Sequence, residues 1–423
     1  MKVLFVTWDG PAQSYLTDLF LPIFGRLQGS GYAFEILQFT TGGEPFRRAT
    51  RIAAERIGIA YTARSVWRRP LALSTAGMIA LGSRFVASQV RRSGVDVVMP
   101  RSTIPAAMCL LAARSIPLTP ILFDADGFMP DERVEFQGWN PDGLQYRLLR
   151  DIDATAARRA QAVLVRSTRA RQILLDRAGP GLDPERIHVV LNGRDPSVYH
   201  PGGADARAAT RARLGVAPEA PFVVYVGSLG EKYLPDRILA FFQAVRRRAP
   251  DARFQVLTGN QEIVDELLPH YDLPPECLDV RRVAGAEVPE YLAAADLGVA
   301  FINSGFSVQA TAPIKIGEYL LCGTPVLATP WAGDTREHLR LPETGRVLDD
   351  VSDAALADAA QWFVDDLLPR RAEVRTACRE RGIELFSLDR AVHQYECALS
   401  GIRAWRSRSG SPGAAGARRE VVG

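Results

Sequence analysis

The chain has 423 residues, 51 basic against 48 acidic side chains, a net charge of +3 and 47% hydrophobic content. That length exceeds what one hydrophobic core normally fills, so two domains are expected, and the near-balance of charge excludes the basic footprint of a nucleic-acid-binding protein. Five cysteines, Cys109, Cys277, Cys322, Cys378 and Cys397, show neither paired nor metal-type spacing, which fits a reducing compartment without structural zinc.

The first element, residues 2–7 (KVLFVT), is an apolar run with no signal-peptide order of basic, apolar and small-residue segments, so a cytoplasmic location is expected. Gly10 lies at the end of that strand, and Gln13 with Ser14 begins the next helix; a glycine loop there can cover one wall of a cleft. Residues 64–94 join Trp67 and several arginines to an apolar middle. That pattern suits a helix lying on a membrane surface, such as the inner face of the membrane, and equally a packed domain helix. Further strands are expected at 34–39, 95–100, 120–126, 162–167 and 187–193. Arg101 directly follows the run at 95–100. Asp124 and Asp126 end the run at 120–126, where Asp126 either orients a reacting hydroxyl or caps the following turn. Asp131, Glu132 and Arg133 follow as a charged loop, either facing a substrate or forming a surface ion-pair cluster.

Asn192, Gly193, Pro196, Pro201 and the Gly202–Gly203 pair then mark a linker, so the first domain is set at 1–196 and the second at 197–385. Apolar runs at 222–228, 253–259, 278–285, 297–301 and 324–329 repeat the strand–helix alternation. Each half therefore reads as a doubly wound α/β domain whose ligands gather at the carboxyl ends of parallel strands. A helix at 386–405 and a disordered basic tail at 406–423 complete the chain, the helix being expected to pack back on the first domain. Only three of the 51 basic residues are lysines, and two of them, Lys232 and Lys315, stand in YVGSLGEKY and PIKIGEYLLCGTPV. A compact ammonium rather than a planar guanidinium is therefore singled out at these two places.

Several segments in register resemble the family 4 retaining glycosyltransferases. Residues 189–201 (VVLNGRDPSVYHP) resemble their interdomain linker, and residues 225–233 resemble their first C-domain strand and phosphate loop. Residues 288–301 and 312–329 (APIKIGEYLLCGTPVLAT) resemble the nucleotide-binding helix and its surroundings. Residues 123–139 (FDADGFMPDERVEFQGW) are similar to the Asp-x-Arg-Gly, then Asp-Glu-Arg, pattern of one bacterial branch. The resemblance implies a GT-B architecture: two Rossmann-like domains facing a central cleft, with a nucleoside-diphosphate sugar, UDP or GDP foremost, as donor and no metal.

It also implies roles for individual residues. Gly227 and Ser228 would let the backbone approach the diphosphate, and Lys232 would meet its charge; the family's usual arginine is Ser228 here. Thr311, Ala312, Pro313 and Ile314 would offer backbone groups at a helix start, with Lys315 and Glu318 on one face of that helix. Glu318 would accept both ribose hydroxyls. Many members carry another glutamate where this chain has Ala310, so the donor sugar is expected to meet Gly305–Thr311. Thr258 and Val283, within 258–260 and 282–284, would border the base. Arg101, Asp126, Gln13, Asp131, Glu132 and Arg133 would face the acceptor, a small molecule or a lipid-linked one. Lys232, Asp126 and Glu318 would carry the chemistry. A nucleotide-sugar epimerase, a non-glycosidic transferase on the same scaffold and a catalytically silent sugar-nucleotide-binding partner remain the alternatives.

Overall fold

The computed structural model describes residues 1–11, 15–66, 71–117 and 119–408, with backbone alone at 71–74. Seven strands build the first half: β1 (Lys2–Trp8), β2 (Ala33–Thr40), β3 (Ala60–Ser65), β4 (Val97–Pro100), β5 (Leu122–Asp124), β6 (Ala162–Val165) and β7 (Ile187–Val189). They run in the order β3-β2-β1-β4 and β5-β6-β7, and parallel bridges Val98–Ile121 and Arg101–Asp124 join the two pieces edge to edge. The second half holds β8 (Phe222–Val226), β9 (Arg253–Leu257), β10 (Leu278–Arg281), β11 (Leu297–Ala300), β12 (Val326–Ala328) and β13 (Gly345–Val347), ordered β10-β9-β8-β11-β12-β13. Every pairing is parallel.

Parallel sheets are covered on both faces, which explains why the central strands read as unbroken apolar runs. Alternate residues of β1 supply two different cores: Leu4 and Val6 pack with Leu37, Phe39 and Val98 on one side, while Val3 and Phe5 pack with Phe34, Ile36, Val97 and Met99 on the other. The helix 71–93 contributes buried Met78, Val86 and Val90 to the first of these cores. Its Gly82 lies so close to the helix Thr103–Ala112 that a Cβ would fall 2.5 Å from the sulfur of Met108. A domain helix therefore accounts for the apolar middle of 64–94; Trp67 lies outside the described residues. Among the described residues no helix is long and apolar enough to cross a membrane.

Two expected features are corrected. The charged segment at 131–133 is part of a helix, Met129–Gln137, begun by Pro130 in its first turn and ended by Gly138 in the left-handed region at φ 67°. The last helix runs Leu388–Arg408, three residues into the expected tail, where Arg406 pairs with Asp96 at 2.5 Å; residues 409–423 lie outside the described chain. Leu388, Ala391, Tyr395, Ala398, Leu399 and Ile402 of that helix are buried against β6, β7 and the helix Leu21–Gly29 in the first half. Burying each large apolar side chain there contributes roughly 1.5–3 kcal/mol.

The chain crosses between the halves twice, side by side. Arg194 N donates to Phe386 O and Leu388 N donates to Arg194 O, both at 2.8 Å. Gly193 makes this possible: a Cβ there would lie 2.5 Å from the Ala391 Cβ and 2.9 Å from the Ser387 carbonyl. In each half the strand order reverses beside the first strand, β1 between β2 and β4, β8 between β9 and β11. In open α/β sheets such a reversal leaves a crevice outside the strand ends, and ligands collect there.

Candidate active site

At the first reversal, the residues just past the ends of four neighbouring strands form one charged network. Asp9 follows β1, Arg101 follows β4, Asp124 ends β5 with Asp126 two residues on, and Arg166 follows β6. Arg101 Nη1 donates to Asp9 Oδ1 at 3.1 Å and its Nη2 to Asp126. Arg166 Nη2 donates to Asp124 Oδ1 at 2.5 Å, and its Nε lies 3.3 Å from Asp126 Oδ1. Burial pushes the Asp124 carboxyl up, against the pull of Arg166. Asp126, although burial pushes it the same way, is held below the usual carboxylate range by Arg101 and Arg166. The Arg101 guanidinium also lies 5.0 Å from the ring centres of both Tyr15 and Phe20. Ser102, next in the chain, has φ 67°, a costly backbone state for a non-glycine residue held at the point where β4 turns into a helix. Gly10 is half-buried beside Asp9, and Gln13 lies outside the described residues.

The facing wall belongs to the second half. Gly227, with φ 121°, directly follows β8, and Gly230 follows at φ 142°. A Cβ on Gly227 would lie 3.3 Å from Lys315 Nζ, so glycine keeps open a notch into which the ammonium projects. Lys315 is 9% exposed, and its Nζ has no hydrogen-bond partner. It lies 4.0 Å from the ring centre of Tyr225 and 4.8 Å from that of Tyr233. Burial lowers its pKa to about 7, against the opposing pull of Glu318. Ser228 contributes its carbonyl to the Tyr225 hydroxyl at 2.6 Å.

Pro313 caps the helix Ile314–Leu321 instead of being its first residue. The Ala312 carbonyl accepts from Asn192 Nδ2 at 2.9 Å, and the Thr311 hydroxyl donates to Val308 O at 2.8 Å. Glu318 points to the linker: its Oε1 accepts from Arg194 Nε at 2.9 Å and Nη2 at 2.8 Å. Thr258 is buried, accepting from Asn260 N at 3.0 Å. Val283 is half-buried in the loop after β10, and a Cβ on nearby Gly285 would come 3.9 Å from Asp18 of the first half.

The helix 129–137 bridges the walls. Glu132 Oε1 accepts from Lys232 Nζ at 2.8 Å, and one helical turn on, Glu135 accepts from the Ser307 amide at 3.0 Å and from the Phe306 amide and Ser307 hydroxyl. Asp131 turns away: it is buried in a two-pronged pair with Arg177, at 2.7 and 2.8 Å, and accepts from Tyr146 at 2.9 Å. Its oxygens are thus committed within the first half, in a buried pair rather than a surface cluster. Arg133 stacks over Trp139 at 4.6 Å. Ala310, where many family members carry glutamate, is fully buried in the first half's core.

Lys232, Lys315 and Gly227 are thus gathered at one strand end, with Arg101 and Asp126 at the other. Arg194 and Glu135 are additions. Arg194 occupies the variable place of the Asn-Gly-x-Asp linker motif, and Glu135 shares a helical face with Glu132, a spacing that shows only once 129–137 is taken as a helix.

Two family descriptions divide the chain: "Glycosyltransferase Family 4" matches residues 24–198 and "Glycosyl transferases group 1" matches residues 206–384. The chain belongs to the family 4 glycosyltransferases. It is 30% identical over 255 residues to α-maltose-1-phosphate synthase of Mycolicibacterium smegmatis, covering 58% of this chain and 64% of that one. Over 202 residues it is 30% identical to D-inositol 3-phosphate glycosyltransferase of Kineococcus radiotolerans, covering 45% and 42%. The matches therefore span less than two thirds of these relatives' length. Anabaena HepE, solved with UDP and glucose, superposes with a TM-score of 0.71 over 95% of this chain and 99% of its own at 16% identity. The fold is accordingly the GT-B architecture shared by such glycosyltransferases.

Proposed function

We propose that this family 4 chain is a retaining glycosyltransferase that moves a sugar from a nucleoside-diphosphate donor to a hydroxyl acceptor, with residues 1–196 and 197–385 as its two working units. The observation that carries this reading is Lys315: a buried ammonium without a hydrogen-bond partner, aimed at a glycine notch on a strand end, lacks an anion. A diphosphate supplies it. Lys232 stands in the next turn of the same loop, and the donor's negative charge competes with Glu132 for it. When the ribose enters, its two hydroxyls take the Glu318 carboxylate, whose Oε1 Arg194 holds in its absence. Thr258 and Val283 border the base, and the 305–311 loop meets the sugar.

The chemistry asks little of the protein beyond placement and charge. As the bond from sugar to phosphate breaks, negative charge grows on the leaving oxygen, and Lys315 with Lys232 stabilises it in a site that excludes water. The acceptor attacks from the face the leaving group vacates, its proton passing to the departing phosphate, which preserves the anomeric configuration. Asp126, held in place by two arginines, orients the acceptor hydroxyl.

The test is thermal-shift binding of UDP, GDP and ADP to the native chain and to Glu318→Ala and Lys232→Ala, followed by assay of nucleotide release from the matching nucleotide sugars. A stabilising nucleotide whose effect either variant reduces is expected. Equal stabilisation of native and variant chains would remove these residues from the site.

A further inference from the structure

The first half's wall differs in character from a phosphate-binding surface. Three carboxylates, Asp9, Asp124 and Asp126, surround two guanidiniums, Arg101 and Arg166, and each guanidinium is tied to two of the carboxylates. The cations are the sealed members of the set: the side chains of Arg101 and Arg166 are 8% and 2% exposed, and the Nε atom of each is closed off from solvent. Asp126, at 28%, is the member that reaches solvent. Three residues on begins the helix whose Glu132 holds Lys232 of the donor wall at 2.8 Å, and Lys232 helps to keep the Asp126 carboxyl low. Cations elsewhere along the wall are engaged too: Arg177 with Asp131, Arg194 with Glu318, and Arg133 stacked on Trp139.

Resting on the transferase reading, we propose that the acceptor is an uncharged polyol or sugar whose hydroxyls donate to Asp126, and that Asp126 excludes phosphate esters from the acceptor subsite. Each Asp126 oxygen takes one guanidinium contact and keeps further lone-pair capacity, which suits neighbouring hydroxyls as donors. A phosphate at the same place meets a carboxylate in front, while the guanidiniums that would attract it lie behind and are already paired. Two curated relatives carry phosphate esters in their names, α-maltose-1-phosphate synthase and D-inositol 3-phosphate glycosyltransferase. This chain therefore parts from what those names describe at the acceptor wall.

The experiment first saturates the native chain with whichever of UDP, GDP or ADP binds, so that the donor subsite is filled. Glucose and myo-inositol are then titrated against glucose 1-phosphate and myo-inositol 1-phosphate, by calorimetry and melting temperature. The native chain should show no binding of either ester at millimolar concentration. Asp126→Asn, which removes the negative charge in front of Arg101 and Arg166 without changing shape, should bind glucose 1-phosphate at least tenfold more tightly than the native chain does. Asp9→Asn, which frees Arg101 from the buried side, is the companion variant should the first fold poorly. Binding of an ester to the nucleotide-saturated native chain, or failure of both folded variants to gain it, overturns the proposal. If no nucleotide binds at all, the transferase reading itself falls and this inference with it; if a nucleotide binds and an ester binds beside it, only the acceptor assignment falls.

Discussion

The two walls of the cleft are built at equivalent points of two sheets with matching strand order, yet they carry charge in opposite ways. Among the described residues at the ends of β1, β4, β5 and β6, both cations, Arg101 and Arg166, are paired with carboxylates, so that network is balanced without a ligand. At the end of β8 Lys315 has aromatic rings for neighbours and no hydrogen-bond partner. The contrast teaches which side waits for an anion. A buried charge without a partner is costly in the empty protein, and such cost is maintained where a ligand relieves it.

The largest effect that would break this comparison is expected at Arg166. Replacing it by leucine leaves Asp124 buried without its partner, so unfolding free energy should fall by about 3–5 kcal/mol in a denaturant titration. A fall below about 1 kcal/mol would mean that the first wall is not a closed ion network. Lys315→Met should behave in the opposite manner: the empty protein keeps or gains stability, while nucleotide release drops by about 10²- to 10³-fold, the scale of losing one oriented stabilising group. Loss of stability together with activity would reassign Lys315 to the core.

The pH dependence sharpens the same contrast. Folding lowers the Lys315 pKa to about 7 from its ordinary value of 10.5, so the unfolded chain binds more protons between those limits. This group's contribution to the empty protein's stability therefore improves as pH rises through 7 toward 10.5. Diphosphate binding favours the charged form and runs the other way: affinity for the free nucleoside diphosphate should be flat below pH 7 and weaken above it. Lys315→Met should abolish that slope, as measured by calorimetry from pH 6 to 9. The smallest effect belongs to the bridge between the walls. Glu132→Gln frees Lys232 from a partly exposed pair worth about 0.2–1 kcal/mol, so nucleotide affinity should rise by no more than about fivefold. Weaker binding would show that Glu132 assists the donor rather than competing with it.

Sequence legibility followed the same physical divide. The central strands declared themselves because burial on both faces demands unbroken apolar runs, as in Val163–Val165. The edge strands β3 and β13 escaped: Ala60–Ser65 is half-buried or exposed along its length, and Gly345–Val347 is three residues with a glycine and an arginine. Lys232, Lys315 and Gly227 could be singled out from local motif and the scarcity of lysine. Arg194 and Glu135 could not, because their partners lie 124 and 172 residues away and nothing local encodes the meeting. Arg101 and Asp126 were legible as strand-end residues, but their mutual neutralisation depends on Asp9 and Arg166, brought beside them by the strand order.

The helix 388–408 has a consequence for how the protein is made. On the ribosome the first half emerges early, but the side chains that close one face of its sheet, Leu388 through Ile402, are translated roughly 190 residues after its linker. At ordinary synthesis rates of about 5–20 residues per second, the part of that face over β6 and β7 waits roughly 10–40 s for its cover. The second half, whose core draws on residues 191–386 alone, can finish first. The domain that begins the chain is thus the one that completes it, and a gene fragment stopped at the linker would yield the first half with its apolar face open to self-association.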